Sequence, residues 1–435
     1  MTRHALAYCC AVLTLATAAA QPPAPPPAAT SPEEKARALL AAGKPDEALA
    51  RLAEACKADA KLPPARVQLA TLYYRAGQGA AARQNLETAL AEDPRHPDAL
   101  LLNANFALPE GRLTDVVLSC QAALALAAEP RWTPEQRTRF VREARIGLAA
   151  AFEARRDYAA ARDQLAAILA DDPTSGPARS RLAATTFQLG RPEEAFAEFQ
   201  KAHRDDPAVA VPESQMAALY VARGDAKAEE WLKKAVAAHG GQASTHRAYA
   251  GWLTDAGKLD EAKLSLDAAA KLDPKSPETQ ALRGLYLRHR KDYAAAEPVF
   301  EALLRDSPGN PFAALNLALT LAESDDDAKR LKAVRLAEVE AQKSPRNPEA
   351  LAVLAWCYSK AGKLDEALKV IAAAGQAGPL NRDAGYFAAR IFADAQRYPE
   401  ALKILQAVGT ATGPHLYRAE SAALRTEVEA KVPKP

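Results

Sequence analysis

The residues equipped for chemistry fall into three groups: a recurring Asp-Glu pair, a glycine–lysine stretch, and scattered His and Cys. The pair sits in "GKLDEA" at Gly257–Ala262 and again, letter for letter, at Gly362–Ala367, with a near copy, "GKPDEA", at Gly43–Ala48. Paired carboxylates serve general acid–base catalysis when their surroundings drive the two pKa values apart. A short polar string used three times points instead to a structural module. The stretch "GWLTDAGKL" is similar in outline to a phosphate-binding loop, but Leu259 stands where Ser or Thr belongs and five residues separate its glycines. The sequence contains neither HExxH nor G-x-S-x-G, and its 7 His are dispersed. The expectation is a non-catalytic chain with no catalytic residue, no cofactor and no metal site.

Cysteines support the same view. Cys9 and Cys10 fall in an apolar leader, which leaves Cys56, Cys120 and Cys357, odd in number, widely separated and without CxxC spacing. Buried apolar packing is their expected use. The leader itself reads "MTRH", then "ALAYCCAVLTLA", then "TAAAQ": a positive start, an apolar core and a small-residue cleavage pattern. Residues 1–20 are therefore expected to be a signal peptide, and the proline-rich 21–30 a linker of extended, polyproline-like character. The chain is accordingly expected to be exported to a bacterial periplasm or cell envelope, or secreted, with no stable membrane span after cleavage.

The whole chain of 435 residues carries 56 Lys+Arg against 54 Asp+Glu, a formal net charge of +2. The charges are interleaved, which reads as solvated helix surface and argues against nucleic acid as a partner. With 49% hydrophobic but only 6% aromatic residues, alanine-rich helices are favoured over sheet.

The hexapeptide then sets a period. Gly257 and Gly362 lie 105 residues apart, three spacings of about 34 residues plus three that lengthen the turn around "ESDDDAKRLKAVRLAE". Gly43 to Gly257 is 214 residues, six spacings with an excess near "EPRWTPEQRTRF". Each "GKxDEA" is followed one helical turn later by an apolar residue, as in Ala48–Leu52, Ala262–Leu266 and Ala367–Ile371. Several units close at a proline: Pro94, Pro173, Pro207, Pro274, Pro308 and Pro345. The stretch before the glycine is also amphipathic, as in "ARVQLATLYYRAG" and "EALAVLAWCYSKAG". A unit is thus helix, polar turn, helix, proline break. Gly43, Gly77, Gly190, Gly257 and Gly362 suit the left-handed position that ends a helix. Asp46-Glu47, Asp260-Glu261 and Asp365-Glu366 suit the first turn of the next.

On these residues the chain resembles the tetratricopeptide repeat family, in particular exported bacterial members. About eleven units are expected over 31–413, with a capping helix and tail at 414–435. The resemblance implies an all-α, right-handed superhelical solenoid in which the first helix of each unit lines a concave groove. Carried onto this chain, the groove residues are Tyr74, Arg75, Asn105, Phe187, Arg247, Arg288, Trp356, Tyr386 and Arg390. It further implies a scaffold or adaptor that binds a partner protein or peptide in that groove. An alternative from another class is an accessory subunit of an envelope assembly or polysaccharide-export system, docking through an outer face or the loop around Arg131–Arg139. An enzyme with an unrecognised site is the third.

Overall fold

The computed structural model describes residues 31–411 and 415–432. The segments read as signal peptide and linker, 1–20 and 21–30, lie outside the described residues. The described residues are helical throughout, with 23 α-helices and no strand among them, and they form two compact units that divide at residue 210/211.

The N-terminal unit holds five hairpins: α1 (Pro32–Ala41) with α2 (Pro45–Ala58), α3 (Ala65–Arg75) with α4 (Gly79–Glu92), α5 (Pro97–Ala107) with α6 (Leu113–Leu126), α7 (Pro134–Arg155) with α8 (Tyr158–Asp171), and α9 (Gly176–Gln188) with α10 (Pro192–Asp205). The C-terminal unit holds six: α11 (Pro212–Arg223) with α12 (Lys227–His239), α13 (Ala243–Asp255) with α14 (Leu259–Leu272), α15 (Pro277–His289) with α16 (Tyr293–Asp306), α17 (Pro311–Ala322) with α18 (Asp327–Lys343), α19 (Pro348–Lys360) with α20 (Leu364–Ala377), and α21 (Arg382–Asp394) with α22 (Tyr398–Thr410). A single helix, α23 (Arg418–Lys431), packs on α22 and α21.

The hexapeptide does what its residue types dictate. Gly257 adopts φ 76°, and the amides of Gly257 and Lys258 return to the carbonyls of Thr254 and Leu253, closing α13. Asp260 and Glu261 then occupy the first turn of α14, where the helix dipole favours them, and Ala262 is wholly buried. In three units that lack this glycine, Arg156, Lys291 and Gln396 take the left-handed conformation instead, at φ 58–61°, and the lengthened turn after α17 has no left-handed residue. The closing prolines lie in the turns between hairpins.

Small residues set the helix spacing. Ala70, Ala183, Ala250, Ala355 and Ala367 are buried, and Phe199 and Phe300 fill the space between them. At Gly284 the approach is close enough to exclude a side chain, since a β-carbon there would lie 2.5 Å from the Phe300 ring. The two excess stretches become helix. α7 has 22 residues because "TPEQRTRF" adds turns at its N-terminus, begun by a capping box between Thr133 and Gln136. α18 runs 17 residues. Cys120 and Cys357 are buried thiols, pushed upward by burial, Cys120 to about 11. Cys56 differs: it is half-buried and donates to the Pro63 carbonyl at 3.3 Å.

Candidate functional site

The nine groove candidates all stand on first helices, or, for Arg75, on the last residue of one. Their surroundings differ between the units, which are taken separately.

In the N-terminal unit, Tyr74 is 45% exposed and stacks on Phe106, ring centroids 4.5 Å apart. Asn105 and, on α7, Ile146 are also exposed. Arg75 is engaged with Glu33 of α1 at 3.0 Å. Phe187 requires a correction: it is 1% exposed and belongs to the core, so it lines no accessible surface. Successive residues of the helix Gly176–Gln188 are about 100° apart around its axis, so a position carried over from the repeat pattern alone can fall on the buried side. The loop around Arg131–Arg139 is tied into the fold. Arg131 donates to the Arg95 carbonyl at 2.7 Å and lies over the Trp132 ring, whose Nε1 donates to Leu126. Arg139 forks onto both oxygens of the buried Asp98 at 2.5 and 3.1 Å.

In the C-terminal unit, Arg247 is held by the hydroxyls of Ser276 and Thr279 and by Asp273 at 3.6 Å. Trp356 and Tyr386 are buried, at 3% and 8% exposure, although both were expected to face an open groove. What covers them is the chain's own C-terminal segment. Tyr417 stacks on Tyr386 at 4.9 Å and meets Phe387 edge-on at 5.1 Å, while Phe387 stacks on Trp356 at 4.6 Å. Four rings from α19, α21 and the turn before α23 therefore form one closed box. Glu323 closes its far side, accepting from Trp356 Nε1 at 2.9 Å and from Lys360 at 2.7 Å. Arg288 is 4% exposed, with one guanidinium nitrogen on the Asn316 side-chain oxygen at 2.5 Å and its Nε without a partner. Arg390 pairs with Asp394 at 2.9 Å and Glu427 of α23 at 3.5 Å.

Several acids and bases of this unit have displaced proton affinities. Burial lifts the Asp383 carboxyl to about 6, against the opposing pull of Arg288 and two backbone amides, one of them Leu416 N at 2.9 Å. Burial lifts Asp255 to about 7, with repulsion from Asp383 adding to it. His289 and His415 are both driven down to about 4, chiefly by burial. Burial also raises Tyr386 to about 12. Such shifts mark either catalytic sites or structural networks. Here Asp383 and Tyr386 lie beneath the chain's own C-terminal segment, and His415 is part of it. A cavity of about 500 Å³ elsewhere in the unit is lined by Leu380, Gly385, Phe392, Ile404 and Val408, with Lys403 at its edge. Among the described residues no group of three or more His, Cys, Asp and Glu is placed to hold a metal. No helix among them is long and apolar enough to cross a membrane.

The residues that sequence reasoning missed are Phe387, Glu323, Asp383 and Tyr417. A signal for the last existed: Tyr417, Leu424 and Val428 are spaced by seven and four, an apolar stripe inside a charged tail.

Tetratricopeptide repeat family models match residues 39–102 and 253–311, and the model for anaphase-promoting complex, cyclosome, subunit 3 matches residues 331–408. No curated protein matches the chain. Among solved structures, yeast Tom70 is similar at 14% identity and TM-score 0.40, covering 92% of this chain and 95% of that one. The APC/C hetero-tetramer Cut9-Hcn1 is similar at 13% identity and TM-score 0.42, over 92% and 89%. A tetratricopeptide repeat protein from Parabacteroides merdae matches at 15% identity and TM-score 0.40, over 66% and 99%. Likenesses of that size carry nothing about partners or sites. Each of the three family matches contains one copy of the recurring hexapeptide, and the helices on both sides of it pair as the period requires. The chain is a tetratricopeptide repeat protein.

Proposed function

We propose that this chain is an exported, non-catalytic scaffold that binds a partner protein or peptide on the faces of its first helices, in the periplasm or cell envelope of a bacterium. The observation that carries the reading is the exposed aromatic and apolar surface of the N-terminal unit's first helices, above all Tyr74 held rigid on Phe106. Tyr is among the residue types that dominate binding energy, and a ring already fixed by stacking loses little freedom on binding. Export rests on the leader pattern of residues 1–20 alone.

The test is crosslinking with mass spectrometry in native envelopes, comparing the unmodified chain with Tyr74→Ala. Loss of a crosslinked partner at unchanged abundance supports the reading. An unchanged set of partners removes the first-helix face of this unit from consideration. The alternative, an accessory subunit of an envelope or polysaccharide-export assembly, does not gain from the Arg131–Arg139 loop, whose arginines already serve the fold. It would show as crosslinks confined to second helices.

A further inference from the structure

A helix that only caps a repeat stack needs to cover the apolar side of the last hairpin. α23 does this, burying Leu424 and Val428 in the core that also contains Leu405. The turn before it does something a cap does not require. Leu416 is anchored by its amide to Asp383, Tyr417 enters the box of Trp356, Tyr386 and Phe387, and Glu420 pairs with Lys291 at the end of α15. Lys291 belongs to a hairpin three units before the last. The segment therefore runs along the first-helix face rather than over the end of the stack.

Its fit there is incomplete. The Tyr417 hydroxyl is buried without a hydrogen-bond partner, and so is Nε of Arg288. Buried polar atoms left unmade weaken the seating of whatever covers them. The contacts that do hold it are of two kinds, one aromatic ring in a box and two carboxylates, Glu420 and Glu427, facing Lys291 and Arg390. Both kinds are supplied by any acidic segment that carries an aromatic side chain.

We propose that residues 415–420 are a built-in occupant of the first-helix face of the C-terminal unit, and that they must leave before an acidic partner segment can seat an aromatic side chain between Trp356, Tyr386 and Phe387. The spacing to look for in such a partner is that of Tyr417 and Glu420, an aromatic residue with a carboxylate three positions later. The inference rests on the reading that first-helix faces are the binding surface, and deepens it.

The test uses full-length protein and a fluorescent peptide of residues 415–432, followed by anisotropy. The unmodified chain is expected to bind the peptide weakly, because the intramolecular copy holds the site for most of the time. Tyr417→Ala with Glu420→Lys is expected to bind it roughly tenfold more tightly, the factor by which the competent population rises. Adding Trp356→Ala should abolish the gain, and a peptide with Tyr417→Ala should not bind. Equal binding by the unmodified chain and the double variant overturns the proposal, as does equal binding of the two peptides. Should the double variant fail to fold, hydrogen exchange on the unmodified chain decides. Amides of 416–431 exchanging by an opening that leaves α21 and α22 protected sustain the idea, and exchange only with those helices ends it. Failure of the underlying reading is read separately, from the Tyr74→Ala crosslinks in the other unit.

Discussion

The two units build their first-helix faces from the same repeat and leave them in opposite states. In the N-terminal unit Tyr74, Asn105 and Ile146 meet solvent, whereas in the C-terminal unit Trp356 and Tyr386 lie under Tyr417. The repeat thus decides which residues share a face, and chain outside the repeat decides whether that face is open. An aromatic residue on such a face is a binding candidate in one unit and part of the core in the other.

The comparison is broken most forcefully at Trp356. Its replacement by Ala removes contacts to Phe387, Tyr386 and Tyr417 and leaves Glu323 without its indole donor, so a loss of about 3–5 kcal/mol is expected in thermal or denaturant unfolding. Tyr74→Ala, the corresponding change on the open face, is expected to cost less than about 1 kcal/mol, because Tyr74 already faces water. Similar losses for both would show that the units do not differ in the way described.

Next in size is Gly284→Ala. A β-carbon at 2.5 Å from the fully buried Phe300 ring forces a shift of packed helices, and a loss of about 1–3 kcal/mol is expected by denaturant unfolding. A third test uses pH. Asp255 and Asp383 bind protons more tightly in the folded chain than an ordinary carboxylate does, so the stability these two groups contribute is full below about pH 4 and is lost as pH rises through the folded values of about 7 and 6. Asp255→Asn should flatten that part of the melting-temperature profile and stabilise the chain at pH 8 by on the order of 1–3 kcal/mol. A profile with the same slope in both proteins counts against the buried acid pair. The smallest effect is expected from Gln396→Gly, which relieves a left-handed backbone at φ 60° and should add about 0.5–1 kcal/mol.

Most of the local architecture was legible in the residues. Gly257 and Gly362 mark helix ends because few other residues tolerate their backbone, and Ala262 and Ala367 mark seams because nothing larger fits. Those are short-range constraints, and a period exposes them. The state of the candidate surface was not legible, because it depends on Tyr417 meeting Trp356 across some sixty residues of chain. Phe187 failed for a related reason. Its position in the repeat is that of a face residue, but its burial is set by the neighbouring helices it packs against.

The long helix α7 gives the N-terminal unit a mechanical character of its own. A repeat stack held only by neighbour contacts yields to a pulling force one hairpin at a time. Here Gln136 donates back to the Ala60 carbonyl at 3.4 Å and Arg139 grips Asp98, so the first turns of α7 hold both the preceding hairpin, at Asp98 of α5, and the turn between α2 and α3, two hairpins away. Those cross-ties bracket α3 to α6 like a splint. Stretched from its ends, this part of the chain should give way in one large step, where an unbraced array would pay out length in a series of small ones.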